Sequence, residues 1–163
     1  MNNPFLTSII REPCICKNSH YSIVEDKEPI TAGHYMVFSN HVIPSFADTD
    51  PKMLSSFLRD VFSKHTQSEY SYFERGRASF CTSMNGVVHA HGHLLPKFSE
   101  KIENIFQTNN IKKHKSLVAA YKDIPSNVEY LIWGNLNENF YTIYPLVDIP
   151  KRIIRTATMK YFI

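Results

Sequence analysis

The sequence contains no stretch of about 18 consecutive apolar residues, so nothing in it predicts a membrane-spanning helix. The N-terminal segment MNNPFLTSIIREPC lacks a basic region followed by an apolar one, and a secretory signal is therefore not expected. The chain has only three cysteines, Cys14, Cys16 and Cys81, an odd number that does not indicate a disulfide framework. These absences make a cytoplasmic protein with no membrane partner the default expectation.

The net charge of the chain is also small, and its composition shows no strong bias. The chain has 18 Lys and Arg against 15 Asp and Glu, which gives a formal net charge of +3. This charge fits an anionic ligand but is too small to indicate a nucleic-acid partner. No internal repeat or low-complexity segment occurs, and a length of 163 residues predicts one domain, residues 1–163, with a real core.

The hydrophobic patterns predict an α+β protein. Strands are predicted within 20–26, 34–38, 69–76 and 87–96, and EYLIWG and NFYTIYPLVD predict a hairpin across NLNEN. The clearest helix is predicted within 48–67, where Asp50 can cap the helix and Pro51 suits its first position. A short helix is predicted near 99–107, and a C-terminal helix near Pro150.

Together these elements predict an antiparallel sheet of about five strands, one long helix and a C-terminal helix, with the helices on one face of the sheet.

Three alternating histidines, His89, His91 and His93, stand in the segment GVVHAHGHLLP. On a strand, alternate side chains point to the same face, so the three imidazoles are expected to lie in a row. Three explanations fit the residues alone. The row is solvated on an exposed face, or it binds a metal such as zinc, or one histidine is a nucleophile that acts on phosphorus with support from the other two.

The segment HAHGHLL resembles the signature of the histidine-triad (HIT) superfamily, in which three histidines alternate with apolar residues. The order of an acidic residue, a proline, a Gly-His pair and a further histidine upstream is also similar, at Asp26, Pro29, Gly33, His34 and His41. FERG at 73–76 resembles an element of one HIT-like subgroup, although a structural role as a surface pair is favoured for its Glu74 and Arg75. The resemblance implies a HIT-like fold and a nucleotide-processing enzyme.

The resemblance also implies the roles of the four histidines. His91 would be the nucleophile that attacks the α-phosphorus of a nucleotide. His89 would hold the nucleophile's partner network, His93 would contact phosphate, and His34 would line the phosphate pocket. No cofactor is implied, because the imidazole supplies the nucleophile.

Three further residues are implied to bind the substrate. Asp26 would hold the ribose hydroxyls, although a plain role at the end of a hairpin is the alternative. Asn85 and Gly86 stand where the family often contacts phosphate. The implied partner is a small nucleotide, and a homodimer is one possible assembly.

The sequence departs from the family pattern at several positions. Gly92 replaces an apolar residue of the motif, SNH at 39–41 replaces a basic segment, and Ala78 stands where many members carry asparagine. The favoured function is hydrolysis at the α-phosphate of a dinucleoside polyphosphate or nucleoside phosphoramidate through a nucleotidyl-histidine intermediate. The alternatives are a nucleotidyltransferase or phosphorylase with phosphate or a sugar phosphate as acceptor, and a nucleotide-binding module with weakened activity.

Some family members bind zinc through a Cys-x-x-Cys pair and two histidines. The matching positions here are Cys14, Cys16, His41 and His89, but the cysteine spacing is one residue shorter. This shorter spacing changes how the pair can hold a tetrahedral ion, so two thiols are favoured and no metal site is predicted.

Overall fold

The structure, a computed structural model, describes residues 14–65, 69–78, 89–97, 102–146, 150 and 152–162. These residues form eight strands: β1 (Cys14–Lys17), β2 (Tyr21–Glu25), β3 (Tyr35–Ser39), β4 (Tyr70–Gly76), β5 (His91–Pro96), β6 (Lys112–His114), β7 (Tyr130–Asn135) and β8 (Phe140–Ile143). The three α-helices within the same residues are α1 (Pro51–His65), α2 (Leu117–Asp123) and α3 (Ile153–Met159). Single 3-10 turns occur at Phe46–Asp48 and Ile102–Asn104.

The described strands form one antiparallel sheet in the order β1-β2-β3-β5-β4-β7-β8-β6. The predicted α+β class is confirmed, and both predicted hairpins, β2–β3 and β7–β8, are present. The sheet is larger than the expected five strands. The two unpredicted strands, β1 and β6, are its outermost strands, and their few, mostly exposed residues show no alternation that could have predicted them.

The long helix begins as predicted at Pro51, and the Asp50 carboxylate accepts the backbone N–H of Lys52 at 3.0 Å. The short helix expected near 99–107 is only the 3-10 turn at Ile102–Asn104, with residues 98–101 outside the described part. No helix among the described residues is long and apolar enough to cross a membrane.

The predicted strand at 87–96 is shorter than expected. It begins at His91, while 87–88 lie outside the described residues. Just before it, Ala90 donates its N–H to the carbonyl of Ile43 and accepts the N–H of Ser39. These bonds tie the segment to the chain that follows β3.

Helices cover both faces of the sheet, which differs from the expectation of one face. α1 and α2 pack on the face that carries Tyr72 and Leu94. α3 and the segment around Ile102–Phe106 pack on the opposite face, against Phe73, Leu95 and Trp133. Because these large apolar side chains would otherwise be exposed to water, the second face also needs a covering layer.

A buried carboxylate joins the first face to its helices. Glu74 is 1% exposed, and its oxygens accept the backbone N–H of Phe46 at 3.0 Å and the hydroxyls of Tyr121 and Tyr130 at 2.6 and 2.7 Å. Burial raises the pKa of Glu74 to about 7, although these three hydrogen bonds and the nearby Arg77 oppose the rise. The role of Glu74 is structural, as expected, but the expected surface pair with Arg75 is wrong. Glu74 is buried, and Arg75 pairs with Glu129 at 2.7 Å instead.

Glu74 should therefore make stability depend on pH. Because its pKa rises from 4.5 to about 7 on folding, its contribution is present below pH 4.5 and is lost as the pH rises through 7. The shift corresponds to on the order of 3 kcal/mol. We expect the difference in melting temperature between the protein and Glu74→Gln to shrink by roughly 5–10 °C between pH 5 and pH 8.

The difference in melting temperature between the two proteins is used because other groups also titrate in this pH range and affect both proteins alike. Glu25→Gln, which changes an exposed carboxylate on β2, controls for the loss of one negative charge. A melting-temperature difference for Glu74→Gln that stays constant across this pH range would contradict the prediction.

Candidate active site

Strand β5 brings two of the three histidines to one face of the sheet. It pairs with β3, where His91 lies opposite Phe38 and His93 opposite Met36. Residues that face each other across antiparallel strands share a face of the sheet. His91 and His93 are partly buried, and their ring centroids are 5.7 Å apart.

The tautomer of His91 follows from its neighbour. Its Nδ1 lies 2.8 Å from the backbone carbonyl oxygen of His89. A carbonyl oxygen can only accept, so Nδ1 carries the proton and donates it. In the neutral ring, Nε2 therefore keeps a lone pair, which is the form that a nucleophilic imidazole requires.

His89 precedes the strand and is buried, with 4% exposure. Its Nε2 lies 2.7 Å from the carbonyl oxygen of Ser39 and must donate to it for the same reason. His89 thus fixes the start of β5 against the end of β3, while its own carbonyl holds the ring of His91.

His34 and Asp26 lie beside His93, although 59 and 67 positions separate them in the chain. The backbone N–H of Ile30 donates to Nδ1 of the fully buried His34, so the proton of the neutral ring is on Nε2. This Nε2 lies 3.0 Å from Nδ1 of His93 and 3.4 Å from Oδ2 of Asp26. His93 therefore accepts on Nδ1, and its own proton is on Nε2.

Arg155 of α3 completes this cluster and was not singled out in the sequence. Its Nη2 lies 3.3 and 3.4 Å from the two carboxylate oxygens of Asp26, and its Nη1 donates to the carbonyl of Glu28. No local pattern marks Arg155 as a site residue. Only the packing of α3 on the histidine face brings Arg155 to Asp26.

Burial keeps the site histidines neutral near pH 7. It lowers the pKa of His34 to about 4, although the Asp26 carboxylate opposes the shift. Burial likewise lowers the pKa values of His89 and His91. The pKa of His93 falls well below its usual range, because burial acts together with His91, His34 and Arg155.

Asp26, His34 and His93 are also the one group of three potential metal ligands that converges in the described part of the chain, with ligand atoms within 4.8 Å. Two contacts favour a hydrogen-bonded cluster over a cation site. Nδ1 of His34 accepts the N–H of Ile30, so its Nε2 carries a proton and has no lone pair for a metal. The guanidinium of Arg155 already supplies a positive charge beside Asp26.

Two further sets of residues were predicted from the sequence. Asn85 and Gly86, like Cys81, lie outside the described residues. The zinc candidates Cys14, Cys16, His41 and His89 do not form a converging group within the described ranges. The Cys14 thiol instead lies 3.3 Å from the carbonyl of Cys16, and the exposed His41 ring faces that of His20 at 6.2 Å.

An apolar patch adjoins the histidines and was also not predicted. Val24 of β2 and Phe38 of β3 are buried and pack with the partly buried Met36. Because Phe38 and Met36 lie opposite His91 and His93, the patch shares the histidine face. It is an apolar neighbour suited to the non-polar part of a ligand.

Low zinc is expected in the purified protein, because the Cys-x-Cys spacing is short and the Cys14 thiol contacts the backbone carbonyls of Cys16 and Ile23. Elemental analysis should give well below one zinc per chain. Stoichiometric zinc that is lost in Cys14→Ser, with retention in a His20→Ala control, would overturn this expectation.

The chain was compared with known proteins. No protein-family model matches it, and no curated protein matches it. Among solved structures, yeast Ap4A phosphorylase in complex with Ap4A superposes with a TM-score of 0.54 and 10% identity, over 78% of this chain and 58% of the phosphorylase. The chain thus spans somewhat more than half of that enzyme's length.

Two other solved structures overlap less well. A protein described as Hit-like has a TM-score of 0.43 and 23% identity, over 59% of this chain and 99% of its own. A hypothetical histidine triad nucleotide-binding protein from Sulfolobus tokodaii strain7 has a TM-score of 0.43 and 16% identity, over 65% of this chain and 76% of its own. At these identities the likeness concerns the fold, and the chain has a histidine-triad (HIT)-like fold.

Proposed function

We propose that the chain is a nucleotidyl hydrolase that acts at the α-phosphate of a nucleoside conjugate through a covalent intermediate on His91. The observation that carries the proposal is the hydrogen bond from Nδ1 of His91 to the carbonyl of His89. It places the proton on Nδ1, so Nε2 is the nitrogen that carries the lone pair in a ring that burial keeps neutral.

The same hydrogen bond suits the intermediate. When Nε2 attacks phosphorus, positive charge develops on the imidazole ring. The carbonyl oxygen of His89, 2.8 Å from Nδ1, is already oriented to stabilise that charge. No reorganisation is needed at the moment of reaction.

His93 supplies a donor for the phosphoryl oxygens. Because its Nδ1 accepts from His34, its proton is on Nε2, the ring nitrogen that His34 does not contact. A phosphate oxygen that gains negative charge in the transition state would accept this proton's hydrogen bond. Donors of this kind commonly contribute 100- to 1,000-fold in rate. We place Asn85 and Gly86 at the phosphate as well.

The chemical steps balance without a redox partner. Nε2 of His91 forms a bond to the α-phosphorus as the bond from phosphorus to the leaving group breaks. The leaving atom is the bridging oxygen of a polyphosphate, which departs as an anion, or the nitrogen of a phosphoramidate, which takes up a proton from water as it departs. Water then attacks the nucleotidyl-imidazole, the P–N bond breaks, and a nucleoside monophosphate and a proton are released. His91 returns to its neutral form.

Asp26 is proposed to bind the ribose hydroxyls. Its side chain is 10% exposed, and Arg155 contacts it at 3.3 and 3.4 Å, longer than the usual 2.7–2.9 Å of charge-assisted bonds. Contacts this long leave the carboxylate able to accept a ribose hydroxyl while Arg155 stays beside it. The apolar patch of Val24, Met36 and Phe38 lies on the same face.

A phosphorylase or nucleotidyltransferase is the second candidate. The fold likeness to yeast Ap4A phosphorylase favours it, because phosphate replaces water as the acceptor in a phosphorylase. The first step is the same in both, so the histidines cannot separate the two functions. A binding module with weakened activity is the third candidate, and it should show affinity without turnover.

One experiment separates these candidates. Incubation with Ap4A should release ATP and leave an adenylyl group on His91. Water converts that group to AMP, whereas inorganic phosphate converts it to ADP, so product analysis with and without phosphate identifies the acceptor. Parallel reactions with adenosine and guanosine phosphoramidates test the leaving group. Nucleotide binding with no product from any conjugate would contradict both enzymatic proposals.

His91→Ala should lower turnover by at least roughly 1,000-fold, because loss of the nucleophile removes the covalent pathway. His89→Ala and His93→Ala should each cost about 10- to 1,000-fold. Steady-state rates and nucleotide affinity are measured together, and affinity should change little in His91→Ala.

The exposed His20 provides a control in His20→Ala, whose rate should match that of the unmodified protein. Full activity of a folded His91→Ala protein would rule out the covalent mechanism.

Asp26→Asn should weaken ribonucleotide binding, since each charge-assisted hydrogen bond contributes about 1.5–3 kcal/mol. A 2′-deoxynucleotide should already bind poorly to the unmodified protein. Calorimetric titration of both nucleotides against both proteins measures this. Equal affinity for the two sugars in both proteins, with only a change in melting temperature, would show that Asp26 is a structural hairpin-end residue.

A further inference from the structure

Arg155 reaches the histidine cluster from a distant element of the chain. Helix α3 is held on the sheet by Ile153, Ile154 and Ala157, which pack with the apolar cluster around Trp133. The side chain of Arg155 extends to the segment between β2 and β3. There it contacts the Glu28 carbonyl and both oxygens of Asp26.

The Asp26 carboxylate lies close enough to disturb the histidines. Its Oδ2 is 3.4 Å from Nε2 of His34 and 3.7 Å from Nδ1 of His93. A carboxylate at such distances favours a protonated imidazole. Without a nearby positive charge, the Asp26 carboxylate would favour a second proton between the two rings.

A second proton would break the hydrogen bond that joins the two rings. Nε2 of His34 and Nδ1 of His93 are 3.0 Å apart, and one proton lies between them. If Nδ1 of His93 also carried a proton, two N–H groups would face each other. The hydrogen bond between the two rings therefore depends on the pair staying neutral, because a protonated His93 would keep its proton on Nε2 and add one on Nδ1.

The charged or titratable groups that the described contacts place beside this pair lie on three segments of the chain. Asp26 follows β2, His91 lies on β5, and Arg155 lies on α3. His91 is neutral near pH 7, which leaves one negative and one positive charge. Glu28 and Arg152 are 4.0 Å from each other and are exposed on the outer side of the cluster.

We propose that Arg155 is a positioning residue whose guanidinium offsets the charge of Asp26 and thereby preserves the hydrogen bond from His34 to His93. Its effect on catalysis rests on the function proposed above, whereas its effect on the two histidines does not. The alternative is that Arg155 only docks α3 on the sheet.

Titration of the histidine rings by NMR, in nucleotide-free protein, tests the proposal. Arg155→Gln removes the charge but keeps a long side chain with N–H donors, and it should raise the pKa values of His34 and His93 by about one unit. Arg155→Lys should restore them. Arg152→Gln, on the exposed side of the same helix end, is the matched control and should leave both unchanged.

The double variant Arg155→Gln with Asp26→Asn shows whether Arg155 affects the histidine pKa values through Asp26. If Arg155 acts through Asp26, Arg155→Gln should shift the two histidines much less when residue 26 is already asparagine. Unchanged histidine titrations in folded Arg155→Gln, with only a lower melting temperature, would show that Arg155 only docks the helix.

If Arg155→Gln does not fold, Asp26→Asn alone tests the proposal. Loss of the carboxylate leaves the charge of Arg155 without its counterion, so the pKa values of His34 and His93 should fall. Unchanged values would overturn the proposal.

Activity gives a separate readout. In Arg155→Gln, the acid limb of the kcat/KM profile should move to higher pH by the same amount as the histidine titrations. A protein that shows the NMR shifts but processes no nucleotide would refute the proposed function and leave the role of Arg155 intact.

Discussion

Gly92 lies directly against the ring of Tyr72, and this close approach determines how β5 lies in the sheet. A Cβ atom at position 92 would be 2.4 Å from the ring, so no larger residue fits without displacing Tyr72. The Tyr72 hydroxyl in turn contacts that of Tyr121, which donates to Glu74. Gly92 departs from the family motif, and the ring of Tyr72 from β4 occupies the space that a larger side chain at position 92 would take. With one face of β5 fixed in this way, His91 and His93 occupy the other.

The two faces of the sheet respond to protons in opposite ways. Glu74, on the face that α1 and α2 cover, has a raised pKa, so it destabilises the fold as the pH rises from 4.5 towards 7. His34, on the site side, has a lowered pKa, so it destabilises the fold as the pH falls from 6.5 towards 4. These opposing contributions partly cancel over the range where they overlap. The neutral histidines that the chemistry needs thus cost stability mainly in acid.

Local patterns predicted those parts of the fold whose residues are close in the chain. Both hairpins, the capped helix at Pro51 and the apolar face of α3 follow from alternation, helical spacing and turn residues. Helix α2 was missed, although Ser116 caps it by accepting the N–H of Ala119. The edge strands β1 and β6 show too little periodicity to be predicted. Grouping Asp26 and His34 with the triad depended on a family resemblance, because no local rule joins residues so far apart.

Arg155 shows what sequence reasoning could not supply. It lies 129 positions from Asp26, and only the packing of α3 on the histidine face brings the two together. Its guanidinium supplies a positive charge to a site whose SNH segment lacks the basic residues of the family pattern.

The opposite charges of Asp26 and Arg155 determine how the site would hold phosphate. Asp26 and Arg155 cancel, and the histidines are neutral near pH 7. Under the proposed function, the described residues would therefore attract phosphate through oriented N–H donors at short range rather than through net charge. Such contacts weaken little with added salt, because screening acts mainly on separated charges. They also depend on which nitrogen carries each proton, which is why the tautomers of His91 and His93 matter more here than the number of positive residues.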